Sequence, residues 1–128
     1  MSGPLPHRIS KPWGHEEIWA QTDVYVGKML VIREGHRLSL QHHRQKQETL
    51  RIMTGSVRLV VGTSTTTLSE RVLGPGDVVH LPPGTVHRIE ALEDAEIVEV
   101  STPELHDVVR HEDDYGRLEI DGSGPSET

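Results

Sequence analysis

Gly35-His36-Arg37-Leu38-Ser39-Leu40-Gln41-His42-His43-Arg44-Gln45-Lys46-Gln47-Glu48-Thr49-Leu50-Arg51-Ile52-Met53-Thr54-Gly55 is the stretch on which the reading of this chain turns. Side chains two apart on a strand share a face. Gln41 and His43 therefore point one way and His42 the other. The polar residues 44–47 read as a hairpin connection, from which Glu48 returns to the face of Gln41 and His43 on a neighbouring strand. A second stretch, Gly76-Asp77-Val78-Val79-His80-Leu81-Pro82-Pro83-Gly84-Thr85-Val86-His87, sets His87 just after a Pro/Gly turn.

Working outward, the body of the chain, 11–117, is a succession of short β-rich runs separated by turn signals, the pattern of a sandwich or barrel. The runs are Glu17–Ala20, Tyr25–Arg33, Arg37–Gln41, Glu48–Met53, Ser56–Val61, Thr65–Leu68, Glu70–Leu73, Val78–Leu81, Val86–Ala91 and Glu96–Ser101. Glu96–Val100, reading E-I-V-E-V, is expected to put its two Glu on one side. Residues 103–115 are expected to hold one short helix or irregular chain. Residues 1–10 and 118–128 read as flexible tails around one domain.

The composition bounds the chemistry. The chain has 128 residues, 13 Lys+Arg against 20 Asp+Glu and a formal charge of −7, which argues against a nucleic-acid partner held by phosphate contacts. With no Cys and 9 His, any metal must be held by imidazole, carboxylate or amide oxygen. The aromatics are two Trp and two Tyr without Phe, so Val, Leu and Ile must build the core. No run reaches the roughly 18 apolar residues of a membrane helix. Met1–Pro6 lacks signal-peptide features, so a cytoplasmic protein without a membrane partner is expected.

The two quoted stretches resemble the cupin superfamily. Gly35, Gln41, His43, Glu48 and Gly55 fit its first motif, with Gln41 in place of the first His. Gly76, Pro82, Gly84 and His87 fit the second, with Ala91 where Asn is usual. Gln41 within Arg37-Leu-Ser-Leu-Gln41, Lys11-Pro-Trp-Gly14 and Glu112-Asp-Asp-Tyr-Gly-Arg117 look like the C-terminal isomerase domain of type II phosphomannose isomerases. The resemblance covers the isomerase half of that family, over about 11–117, and not its nucleotidyltransferase domain. The resemblance implies an all-β fold, a single cupin jelly-roll barrel with an irregular or short helical C-terminal segment, often dimeric. A homodimer is therefore expected, since an unpaired edge strand invites a partner.

The resemblance also implies one divalent metal ion held by Gln41, His43, Glu48 and His87. This mixed N/O set suits Zn, Mn, Fe, Co or Ni without selecting one. Gln41 adds a hard oxygen and no charge, which keeps the ion Lewis acidic. A metal-dependent aldose–ketose isomerase, most specifically of mannose 6-phosphate, is the leading reading. It needs a proton-transfer group and an anion site for a phosphorylated sugar. Lys28 shares parity with Leu30 and Ile32 and enters the pocket if that face lines the barrel. His80 is a candidate general base, with packing as its alternative. Arg117 is carried over from the Tyr-Gly-Arg ending. Lys11, Arg37 and Arg88 are candidate anion holders, Arg37 because it shares parity with Gln41 and His43. A dioxygenase or lyase acting on a small molecule, and a non-catalytic sugar-binding cupin, are the alternatives on the same fold.

Overall fold

The computed structural model describes residues 4–104 and 106–118. Most strands occur where β-branched and Leu residues alternate with polar ones. They are β1 (His7–Lys11), β2 (Gly14–Gln21), β3 (Val26–Ile32), β4 (Leu40–His43), β5 (Glu48–Thr54) and β6 (Val57–Gly62). They continue as β7 (Leu68–Leu73), β8 (Val78–Leu81), β9 (Val86–Ala91), β10 (Ala95–Ser101) and β11 (Val108–Glu112). The pairings are antiparallel and form two sheets. Sheet A has the order β1-β2-β3-β10-β5-β8, and sheet B the order β11-β4-β9-β6-β7. This is the all-β jelly-roll arrangement that the family resemblance implied. No described helix is long and apolar enough to cross a membrane.

Three local expectations are corrected. Residues 7–10, read as tail, form most of β1, where Ile9 pairs with Glu16; most of the C-terminal tail lies outside the described residues. Within 103–115 the chain makes β11 rather than a helix, because Val108 and Arg110 alternate inward against His43 and Gln41 of β4. Thr65–Leu68 and Glu70–Leu73 are not two runs about a turn, since Leu68–Leu73 is one continuous strand paired with β6.

The apolar core lies between the sheets at one end. Leu30, Ile32, Leu50, Ile52, Val57, Leu59, Leu81, Ile89 and Ile97 pack there with Trp13, all nearly or fully buried. Trp13 and Gly14 belong to the Lys-Pro-Trp-Gly motif, and the structure gives both a packing reason. Gly14 has φ +154°, and a Cβ there would fall 1.9 Å from the Val31 carbonyl oxygen, so only glycine lets β2 leave the buried Trp13 this close to β3. The other end of the same interior is polar, and it holds the site.

Candidate metal centre and its cationic surround

β4, β9 and β11 lie side by side in sheet B, so Arg110, Gln41 and His87 stand in one cross-strand row facing the interior. His43 and Glu48 approach from the two sides of the turn that joins β4 to β5. His43, Glu48 and His87 are buried, and one ligand atom from each falls within 4.8 Å of the others. Glu48 Oε1 lies 3.2 Å from His87 Nε2 and 3.8 Å from His43 Nε2. Both imidazoles are held from behind, His43 Nδ1 3.3 Å from Asp107 Oδ1 and His87 Nδ1 3.0 Å from the Thr85 carbonyl oxygen. An imidazole held at Nδ1 presents Nε2 as a ligand in fixed orientation.

The donor atoms fit a metal ion. Gln41 donates from Nε2 to Ser39 Oγ at 2.8 Å, which leaves its amide oxygen as the other polar atom, and that oxygen is buried with no hydrogen-bond partner. His43 Nε2 is likewise buried without one, while Glu48 Oε2 has no hydrogen bond but faces Lys46 Nζ at 3.5 Å. Unsatisfied buried acceptors are costly, and a cation bound among them removes the cost. Burial first, then Lys46, pushes the His43 imidazole down to about 3, so it is neutral with its lone pair free near pH 7. Burial also pushes His87 down, but its hydrogen bond to Glu48 and that carboxylate's charge outweigh this and raise it. Burial opposes the charge on Glu48, yet Lys46, His87 and His43 together hold it well below the ordinary range.

Behind the ligands runs a buried ion-pair chain. Lys46 Nζ lies 3.5 Å from Glu48 Oε2 and 3.1 Å from Glu99 Oε2, while Lys28 Nζ lies 3.7 Å from Glu99 and 3.5 Å from Glu16. Burial and then Glu48 raise the Glu99 carboxyl above its ordinary range, against the opposing charges of Lys28 and Lys46. The expectation that Glu96 and Glu99 share a side is corrected: positions three apart fall on opposite faces, so Glu99 is fully buried while Glu96 is exposed. Lys28 does face inward, as its parity with Leu30 indicated. Glu16, Lys46, Glu99, Asp107 and Arg110 were missed. Inward parity with Ile18, Ile97 and Val108 is the signal that finds Glu16, Glu99 and Arg110.

The other expected residues separate. Lys11 is half-buried near the site; burial lowers its pKa, Glu16 raises it, and Lys28, Arg117 and Arg110 lower it further, leaving it net lowered. Arg117 folds back on Asp113, with Nε 2.8 Å and Nη2 3.1 Å from its carboxylate, and stands over the Tyr115 ring. Arg37 does not face the cavity. Alternation breaks where Leu38 and Ser39 are both buried, so position 37 falls outside and its guanidinium grips Asp114 at 2.7 and 2.9 Å. Arg88 also turns away, being next to His87 on β9; it donates to the Leu38 carbonyl and to Glu112. His80 is exposed on the outer face of sheet A, bound to Thr49, while its neighbour Leu81 points in. Glu112, Asp113, Asp114 and Tyr115 each take a partner, in Arg88, Arg117, Arg37 and His36, which pins the motif across the molecule.

Residues 5–119 match the family model described as mannose-6-phosphate isomerase C-terminal. The chain belongs to this family. The mannose-1-phosphate guanylyltransferase ManC of Salmonella typhimurium is 29% identical over 118 residues, covering 88% of this chain and 24% of that protein. The xanthan biosynthesis protein XanB of Xanthomonas campestris is 27% identical over 115 residues, covering 86% and 24%. This member of the mannose-6-phosphate isomerase C-terminal family thus spans about a quarter of the length of the curated relatives it matches. Among solved structures, KdgF from a Halomonas species matches with a TM-score of 0.68 at 20% identity, covering 77% of this chain and 88% of that one. Oxalate decarboxylase from Bacillus subtilis matches with a TM-score of 0.71 at 16% identity, covering 84% and 30%. These likenesses show the cupin fold.

Proposed function

We propose that this chain is a metal-dependent sugar-phosphate isomerase of the mannose-6-phosphate type, interconverting aldose and ketose through an enediol. The observation that carries the reading is the buried set of donors, Gln41 Oε1, His43 Nε2, Glu48 and His87 Nε2, set beside a cationic interior. These four residues would hold one divalent ion, whose chemistry is Lewis-acid polarisation of the sugar's carbonyl and hydroxyl oxygens. Glu99 is the residue best suited to hold and move the proton passed between C1 and C2, because its buried carboxyl is raised and framed by Lys28 and Lys46.

Charge supports a phosphorylated substrate. On the site-facing side the buried cations Lys28, Lys46 and Arg110 match the buried anions Glu16, Glu48 and Glu99 in number. A bound divalent ion then leaves a net charge of about +2, the complement of a phosphate dianion near neutral pH. Lys11 and Arg110 are the residues proposed to hold that phosphate, with Arg117 closing over it; Arg37 and Arg88, which face away from the cavity, are not.

Metal content of the purified protein and turnover of mannose 6-phosphate with Mn, Co, Zn and Ni added separately test the reading. Stoichiometric metal with turnover in at least one case is expected. Bound metal with no turnover in any case would overturn the isomerase while leaving the metal centre.

A further inference from the structure

His43 and Glu48 stand at the two ends of the turn that joins β4 to β5, and a remote stretch of chain shapes that turn. Every backbone N–H of residues 44–47 must find an acceptor. Arg44 donates to the Asp107 carbonyl oxygen at 3.3 Å. Gln45 and Lys46 donate to Asp107 Oδ2 at 2.7 and 2.8 Å. Gln47 donates to Thr102 Oγ1 at 3.1 Å, and the Thr102 N–H returns a bond to the Gln47 carbonyl oxygen. The other oxygen of the same carboxylate, Asp107 Oδ1, lies 3.3 Å from His43 Nδ1. Asp107 therefore holds one proposed ligand and the turn that leads to the next.

The contact with His43 has a definite polarity. An imidazole that binds a metal is neutral, with a proton on one nitrogen and a lone pair on the other. A carboxylate only accepts. Set at Nδ1, it requires the proton there and leaves Nε2 bare. The other tautomer is wrong at both ends. Its bare Nδ1 would face a carboxylate oxygen. Its Nε2–H would be buried without an acceptor, because Glu48 Oε1 at 3.8 Å is beyond hydrogen-bond reach. His87 is not settled in this way. Acceptors stand at both of its nitrogens, the Thr85 carbonyl oxygen at 3.0 Å and Glu48 Oε1 at 3.2 Å.

We infer that Asp107 is a positioning residue of the metal centre, which fixes His43 as the Nδ1–H tautomer with Nε2 bare and shapes the turn that brings Glu48 beside it. The inference rests on reading Gln41, His43, Glu48 and His87 as metal ligands. Asp107 also immediately precedes β11, so the strand that carries Arg110 starts from the residue that holds His43.

Asp107→Asn separates the two roles. Its amide oxygen can keep the Gln45 and Lys46 N–H groups, while its NH2, a donor, takes the place of Oδ1 at His43. The reverse orientation would set that NH2 against two N–H groups. His43 Nδ1 must then accept, which moves the proton to Nε2, the atom a metal needs. Nitrogen NMR of the imidazoles in the metal-free full chain should show His43 protonated at Nδ1 in the parent and at Nε2 in Asp107→Asn. Amide exchange at Gln45 and Lys46 should stay slow in Asp107→Asn and become fast in Asp107→Ala. Zn affinity, measured by competition with a chelator, should fall about 10–100-fold in Asp107→Asn. A parent with His43 protonated at Nε2 would overturn the inference, and that measurement needs no variant to fold. Equal Zn affinity in the parent and Asp107→Asn would overturn it too. A parent that takes up no Zn while His43 carries its proton at Nδ1 would overturn the metal centre and leave the role of Asp107 at His43 standing.

Discussion

The two ends of the same interior are built on the same strands and could hardly differ more. On β3, Lys28 gives way to Leu30 and Ile32; on β5, Glu48 to Leu50 and Ile52; on β10, Glu99 to Ile97 and Ala95; on β9, His87 to Ile89 and Ala91. Two residues of strand, about 7 Å, carry each side chain across the divide. The hydrocarbon end gains from every carbon it buries. The charged end buries groups whose desolvation is costly, and neighbouring charges offset that cost one by one. A fold needs the first end. The second has a structural reason only as a set, and it is the end where the proposed cation and anion would bind.

Breaking the charged end at its ligands should have the largest effect. Glu48→Ala or His87→Ala is expected to abolish bound metal, measured as metal per chain in the purified protein. Metal retained at parental stoichiometry would refute the ligand assignment. Breaking the network behind the ligands comes next. Lys28→Met removes the cation that lies between Glu16 and Glu99, leaving Glu99 with Lys46 alone, and should cost about 3–5 kcal/mol in denaturant unfolding. Adding Glu99→Gln should recover a good part of that loss, since it removes the excess buried negative charge and leaves Lys46 paired with Glu48; a double variant as unstable as the single would show that Lys28 acts by packing alone. At the hydrocarbon end, Ile97→Ala should cost about 2–5 kcal/mol. It should leave metal content unchanged in the folded protein, which sharpens the contrast between the ends.

Parity read from sequence served where a strand stays regular. It put Gln41, His43 and Lys28 inside and His42 outside, and the structure agrees. It failed where the chain twists: Leu38 and Ser39 are both buried, so counting back from Gln41 misplaces Arg37. The charged network was harder to see. Lys46 sits in the turn between β4 and β5, where no periodicity applies, and reaches Glu99, 53 positions onward, through tertiary contact alone. Arg110 was hidden because His106-Asp-Val-Val-Arg-His-Glu112 has too few apolar residues to announce a strand; pairing with β4 makes it one. The meeting of His43, Glu48 and His87 was legible because the spacing of the motif encodes a turn and two strand faces. The surround was not, because its charges meet only once the sheets are stacked.

The smallest effect is expected at the strap that follows β11. Asp113 has a side chain with no exposed surface, and it accepts from the Arg117 backbone N–H at 2.6 Å as well as from the guanidinium. Burial acts to raise its pKa, but Arg117's hydrogen bonds and charge outweigh this and hold it below the ordinary value. A carboxyl with a lowered folded pKa adds stability that is complete above its unfolded pKa, near 4, and is lost as pH falls through the folded value. Asp113→Asn should therefore cost about 1 kcal/mol at neutral pH. The gap between the parent and variant melting curves should close as acid protonates Asp113, because a protonated carboxyl and an amide carry the same charge. A gap of constant size from pH 7 into the acid range would show that the strap is held by shape, through Gly116 at φ +77° and the Tyr115–His36 contact at 2.7 Å, and not by this charge.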